Sequence, residues 1–355
     1  MFQITTQFQS LYLSAELPEK VEFSVDSTSF TLMVYHDHTT IFRTTLYPYN
    51  GNAVLHDLRS IIEDALRTDS GSRPTFSLYI TNGSSYASSN EFNVVYSDII
   101  LNYSADLFCR NYFLTTRTSF RISSTGVQRL SLFAKAGETY DGYTECVVLP
   151  EGAATPVVLR LIDTVYRTSA WSDGVDYYDI EADLINDAVC DNYPDQAGKL
   201  LAFTVHRGNR TMTFYVTDEE PDVTFKFRNA FDCIEYAELY AVTMAKQKME
   251  RSEAVCQRNH IFYDQQTEQT FEVETACMTY EEAVWLNQLL ASRKVIYANA
   301  VGGQNVEVLI IDSTSEVSDS DDAKNRIKFT WKYANDVQRH RILSKSMNFT
   351  MELST

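Results

Sequence analysis

Between Thr168 and Gly198 the chain carries eight carboxylates and no lysine or arginine. Within that stretch "WSDGVDYYD" brings together Trp171, Asp173, Asp176, Tyr177, Tyr178 and Asp179. Aromatic rings beside carboxylates are the parts of a carbohydrate-binding surface: rings cover the apolar faces of a sugar while Asp accepts from its hydroxyls, with or without calcium. Paired carboxylates also serve glycoside hydrolysis, but only when two of them face each other across a cleft at a fixed separation. An exposed acidic loop, or a strand pair around "VDYYDIEADL", needs no such geometry. These six residues are the candidate ligand or partner surface, and no catalytic role is assigned to them.

Other chemistry-bearing residues are sparse. In "YHDH", His36 and His38 stand two apart at a strand end, so both could face one way and hold a metal with Asp37. A third ligand elsewhere is missing, and a polar strand-to-turn transition accounts for the same residues. The acidic "SDSDD" at 318–322 lacks the ligand alternation and central glycine of a calcium loop, so a solvated hairpin tip is expected. The chain has no G-x-S-x-G, no P-loop, no H-E-x-x-H and no dinucleotide fingerprint. We therefore expect no catalytic residues, no cofactor and no bound metal: a protein that is not an enzyme.

The elements that would position these groups are mostly strands. With 22 Tyr and 20 Phe among 355 residues, the composition leans toward pleated, half-buried surfaces. The last clear strand, "RIKFTWKYA", sends Ile327, Phe329, Trp331 and Tyr333 to one side and Lys328, Thr330 and Lys332 to the other. Two helices interrupt the pattern. Over 279–292, Thr279 and Glu282 have capping-box spacing, and Ala283, Trp285, Leu286, Leu289 and Leu290 form an apolar stripe. Over 52–67, Asn52 is a candidate N-cap for a stripe from Val54 to Leu66. "LLAFTVHRGNRTMTFYV" predicts a hairpin turning at Gly208–Asn209. Helix propensity favours a helix in "YAELYAVTMAKQKMERSEA", but the adjacent hairpin "NHIFYDQQTEQTFEV" needs partners, and a strand is expected there. The acidic, proline-bearing "TDEEPD" at 217–222 is the candidate domain boundary. The expected fold is mainly β, with two β-sandwich or barrel-like domains, 1–220 and 221–355, each flanked by one α-helix.

A net charge of −18 opposes adhesive binding to nucleic acid or anionic lipid, which requires clustered Lys and Arg. No apolar run approaches the ~20 residues that cross a bilayer. The N-terminus has no basic start followed by an apolar core, so no signal peptide is expected. The six scattered cysteines are accordingly expected to be free thiols.

The order "FYVTDEEPDVTFKFRNAF", "KMERSEA", a hairpin, "ETACMTYEEAVWLNQLLAS" and "VLIIDSTSEVSDSDDAKNRIKFTWKYA" resembles tail and baseplate virion proteins of long-tailed phages and prophages of gut bacteria. The resemblance covers roughly residues 200–355. It implies a structural protein of the virion, made in the bacterial cytoplasm, that assembles as a homo-oligomeric ring of six-fold or three-fold symmetry. Its expected neighbours are other tail or baseplate proteins, its expected relation to DNA is non-adhesive passage through a lumen, and no membrane is involved. No catalytic residue comes with the family. The alternative is a carbohydrate- or receptor-binding module built on the 168–198 segment.

Overall fold

The structure, a computed structural model, describes residues 2–68, 74–101, 103–137, 139–140, 142–162, 166–167, 173–256, 259–298, 305–319 and 325–335. It is mainly β, with four α-helices among the described residues: α1 (Leu58–Thr68), α2 (Ala105–Asn111), α3 (Ala182–Asn192) and α4 (Tyr280–Ala291). The chain divides into two compact units, Met1–Asp218 with Asn229–Glu235, and Glu219–Arg228 with Tyr236–Thr355.

The first unit begins as two sheets around one core. Phe2–Ile4, Lys20–Val25 and Asn52–His56 form one of them; the other runs Leu11–Leu13, Phe92–Val95, Thr75–Thr81, Phe30–His36, Thr39–Leu46, with Tyr86–Ser88 on Thr75–Thr81. Alternate residues of Lys20–Val25 and Phe30–His36 point inward, so Val21, Phe23, Val25, Phe30, Leu32 and Val34 are all buried in a shared cluster. Leu58 and Ile62 of α1 close it. The expected helix over 52–67 therefore starts at Leu58, four residues after its apolar stripe begins at Val54. Asn52–His56 is a strand registered on Lys20–Ser24, and Asn52 caps nothing helical. Asp57, at φ 58°, turns the chain between strand and helix. Glu63 then fixes α1 from within: its carboxylate accepts from Ser14 Oγ (2.8 Å) and from Arg59 Nε (2.6 Å).

A five-stranded sheet follows in the order Ser119–Ser123, Arg210–Thr217, Gly198–Arg207, Gly142–Pro150, Val157–Ile162, with a separate ladder between Val127–Ala134 and Gly174–Glu181. Gly198–Arg207 and Arg210–Thr217 form the expected hairpin, and Gly208 takes φ 59° in its turn. This unit has three helices where one was expected. Neither Ala105–Asn111 nor Ala182–Asn192, which lies in the acidic stretch, is among the helices the sequence predicts. The excursion Asn229–Glu235 belongs here because Asn229 saturates its own turn. Its Oδ1 accepts from Phe231 N (2.9 Å) and Cys233 N (3.0 Å), while its Nδ2 donates to Leu114 O (2.8 Å) and Glu235 Oε1 (2.7 Å).

The second unit is a seven-stranded sheet ordered Ile234–Leu239, Val223–Arg228, Val295–Tyr297, Val306–Glu316, Arg326–Tyr333, Asn259–Thr275, Ala241–Cys256. Ile327, Phe329, Trp331 and Tyr333 are buried on one face, as their alternation predicts. α4 packs on that face through Ala283, Trp285, Leu286 and Leu289. Its capping box is present in full: Thr279 Oγ1 accepts from Glu282 N (3.2 Å), and Glu282 Oε2 accepts from Thr279 N (3.0 Å). Leu286→Asp puts a carboxylate with no partner into this apolar contact, at a cost of several kcal/mol. Val284 is exposed on the same helix. In a urea melt the Leu286→Asp variant should lose the transition of the second unit, while Val284→Asp stays within ~0.5 kcal/mol of the parent.

Candidate functional site

The acidic surface is divided by the alternation of the strand that carries it. Gly174–Glu181 is registered on Val127–Ala134, with Val175, Tyr177 and Asp179 exposed and Asp176, Tyr178 and Ile180 turned inward. Neighbours in a strand point to opposite faces, so Tyr177 and Tyr178 cannot share one stacking platform. On the outer face, Arg129 grips both oxygens of Asp179 (Nε–Oδ1 and Nη2–Oδ2, 2.7 Å each), and its guanidinium lies 3.9 Å from the Tyr177 ring centre. One arginine thus covers an aromatic face and a carboxylate that a sugar would need. On the inner face, Tyr178 meets Phe113 edge-on at 6.2 Å. Asp173 pins a loop, accepting from Ala136 N (2.9 Å) and Asn93 Nδ2 (2.8 Å). Asp176 accepts from the adjacent Tyr177 N (2.8 Å). Trp171 lies outside the described residues.

The histidine pair is also separated. His36 is buried and stacks on Phe76 at 4.5 Å, whereas Asp37 and His38, at φ 43° and 67°, form the two-residue turn between Phe30–His36 and Thr39–Leu46. At the acidic hairpin, Asn325 ties the base by exchanging hydrogen bonds with Ser318 N (2.8 Å) and Ser318 O (3.2 Å); residues 320–322 lie outside the described residues. Among the described residues, no group of three or more His, Cys, Asp or Glu is placed to hold a metal ion.

A charged cleft of about 220 Å³ lies where the residues gave no warning, beside α2. Ser104 Oγ caps the helix by accepting from Leu107 N (3.4 Å), and Phe108 and Cys109 face a small apolar cluster. The side chain of Arg210, 2% exposed, donates to the carbonyl of Cys109 (Nε, 3.0 Å) and to that of Phe133 (Nη2, 3.1 Å). It thereby satisfies a last-turn carbonyl that has no partner inside the helix. Asp106 accepts from Lys135 (2.8 Å) and Arg110 (2.6 Å). The Lys135 hydrogen bond is the chief cause that holds the Asp106 carboxyl below its ordinary range. Its small contribution to stability is present above the ordinary carboxylate pKa and is lost as pH falls through the lowered one. The signal for α2 was available in the sequence, in Ser104 followed by Asp106 in the first turn and Arg110 in the last.

Burial pushes the Cys109 thiol up to about 12, so it is no nucleophile at neutral pH. Cys277 is exposed. Alkylation of the native protein should therefore label Cys277 and spare Cys109, Cys146 and Cys233, all buried. Mass spectrometry before and after denaturation checks this, with label on native Cys109 as the contrary result.

The third candidate is a ribbon in the second unit. Ala241–Cys256 and Asn259–Thr275 pair from Ala241↔Thr275 to Cys256↔Asn259, with one register shift at Ser252/Glu253. The ribbon joins the sheet through Phe271–Glu274, registered on Lys328–Trp331. Beyond that root the strands run on for roughly 35 Å at about 3.4 Å per residue. Ala245 to Arg251 are seven consecutive exposed residues, so both faces of that strand meet solvent. Exposed apolar side chains include Val242 (67%) and Phe262 (62%), with Met244 and Met249 between them in sequence. Ala241–Cys256 is the last strand of the sheet order.

No protein-family model matches this chain, and no curated protein matches it either. No helix among the described residues is long and apolar enough to cross a membrane.

Proposed function

We propose that this protein is a structural subunit of a phage tail, a tail-tube, distal-tail or baseplate component, and that it acts by self-assembly. The observation that carries this reading is the ribbon with both faces exposed. A two-stranded hairpin alone is marginal in water; a third strand or a packed face is needed to hold it. An edge strand of sixteen residues offers a row of backbone donors and acceptors that proteins otherwise block or shorten. Val242, Met244, Met249 and Phe262 add apolar area that a neighbouring copy would remove from water. The charges on the ribbon are mixed: Lys246, Lys248 and Arg251 are interspersed with Glu250 and Glu253, so a second copy meets no field of a single sign.

The repeated contact is closed by rotation, which uses every edge without growing open fibres. A ring of six copies, or of three if the two units occupy equivalent positions, follows from the resemblance of residues 200–355 to tail proteins. The net charge of −18 supports a channel that passes DNA without gripping it. The candidate carbohydrate surface has no comparable support, because its residues on Gly174–Glu181 face opposite ways and Arg129 already engages Tyr177 and Asp179.

Replacing residues 248–268 by an Asn-Gly turn shortens the ribbon and leaves its root intact. Sedimentation velocity and negative-stain electron microscopy should show closed rings for the full chain and folded monomers for the shortened one. Equal assembly by both would remove the ribbon from the account. A full chain that stays monomeric and binds glycans on an array would replace the structural reading with the receptor-binding one.

A further inference from the structure

The outer face of the six-stranded sheet in the first unit carries a diagonal line of tyrosines. Tyr35 is registered on Ser77 and Met33 on Tyr79, so Tyr79 stands one strand over and one outward position along from Tyr35. On the next strand Ser88 is registered on Tyr79 and Tyr86 on Thr81, so Tyr86 repeats the same step. Diagonal neighbours in a ladder are within reach of aromatic side chains, and these three touch in series. Tyr35 meets Tyr79 edge-on at 6.5 Å, and Tyr79 stacks on Tyr86 at 5.7 Å. Tyr86 is still 71% exposed, so its ring face turned away from Tyr79 is open to solvent.

The line is held from behind. Leu32, Val34, Leu78 and Ile80 alternate with the outward residues of Phe30–His36 and Thr75–Thr81 and are fully buried in the core cluster. A platform fixed before a ligand arrives loses little freedom on binding it. Its surroundings are polar with little charge. Phe30–His36, Thr39–Leu46, Thr75–Thr81 and Tyr86–Ser88 contain no Asp or Glu, although the chain has 48 of them. The Leu, Ile and Val of these four strands all pack in or against the core. What remains beside the rings is mainly hydroxyls, among them Thr31, Ser77 and Ser88, and each can both donate and accept. A sugar ring has the matching arrangement: C–H groups on its faces, which the negative face of an aromatic ring attracts, and hydroxyls around its rim.

We propose that this tyrosine line binds a neutral, unbranched oligosaccharide laid along the diagonal. One sugar stacks on the open face of Tyr86, and the chain continues past Tyr79 toward Tyr35 while the flanking hydroxyls exchange hydrogen bonds with its rim. A polyanionic glycan is disfavoured, because the net charge of −18 repels it. The site is separate from Gly174–Glu181 and does not depend on ring assembly.

The test is calorimetric titration of the full chain with cellohexaose, chitohexaose, maltohexaose, glucose and tetragalacturonate. Melting curves confirm that each variant is folded, and sedimentation velocity follows its assembly. Saturable binding of a neutral hexasaccharide, with glucose and tetragalacturonate much weaker, is the expected result. Tyr86→Ala should weaken that binding about tenfold, the scale of one lost ring contact, whereas Tyr86→Phe keeps the ring and should change it little. Tyr215→Ala removes an exposed tyrosine from another sheet and should leave binding unchanged. No saturable binding of any neutral hexasaccharide, tighter binding of tetragalacturonate, or equal losses from Tyr86→Ala and Tyr215→Ala would each overturn the proposal. So would rings that Tyr86→Ala disperses, because the face would then be a contact between copies.

Discussion

The second unit rests on the contact between Phe271 and Trp331. Both are fully buried, their rings stack at 4.2 Å, and they face each other in the register that joins two long hairpins into one sheet. Tyr297 stacks on the same indole at 5.3 Å, and Phe225 and Tyr333 meet it edge-on at 5.9 and 5.3 Å. A slip of one residue would turn Lys328 and Lys332 into this cluster and Trp331 out of it, so the register is strongly specified. Loss of one such aromatic costs about 3–5 kcal/mol. Beyond the root the two strands have mainly each other, and the rigid base aims a ribbon that the unit does not itself cover. That contrast between a fixed root and an uncovered extension is the physical basis of the proposed assembly.

The first unit uses buried polar groups for the same purpose. Asn229 spends its amide on four hydrogen bonds and so holds an excursion of the chain against Leu114 and Glu235. Glu63 joins α1 to Ser14 and Arg59. Arg210 bonds the end of α2 to the strand that carries Phe133. Each of these groups would be costly if left with no partner in the interior. Apolar pattern alone could place the strands but could not tell the loops where to return.

What was legible in the sequence follows from this division. The helix over 279–292 announces itself because cap and stripe agree, and the strand 326–333 because a strict period of two separates Lys from aromatics. The polar "AKQKMERSEA" is a strand despite its helix formers, because Asn259–Thr275 pairs with it along its length. Asn52–His56 misled because apolar residues one and three apart fit a helix as well as a strand, and Asp57 at φ 58° marks the change only in three dimensions. α3 shows little in its composition: it has no side-chain cap, and of its residues only Ala182 and Val189 are buried. The site residues of 174–179 were chosen by proximity in sequence, yet a strand separates adjacent residues onto opposite faces. The cleft beside α2 was invisible because the fold alone brings Lys135 and Arg210 to the Asp106–Arg110 pair of the helix.

The central claim is that a neighbouring chain completes the ribbon, and amide hydrogen exchange tests it most directly. Dispersed and assembled protein would be compared over residues 244–268, with 271–274 at the root as the internal reference. The account predicts fast exchange along the ribbon in dispersed protein, strong protection there after assembly, and a root protected in both states. Equal exchange along the ribbon in the two states, with protection appearing elsewhere, would contradict it.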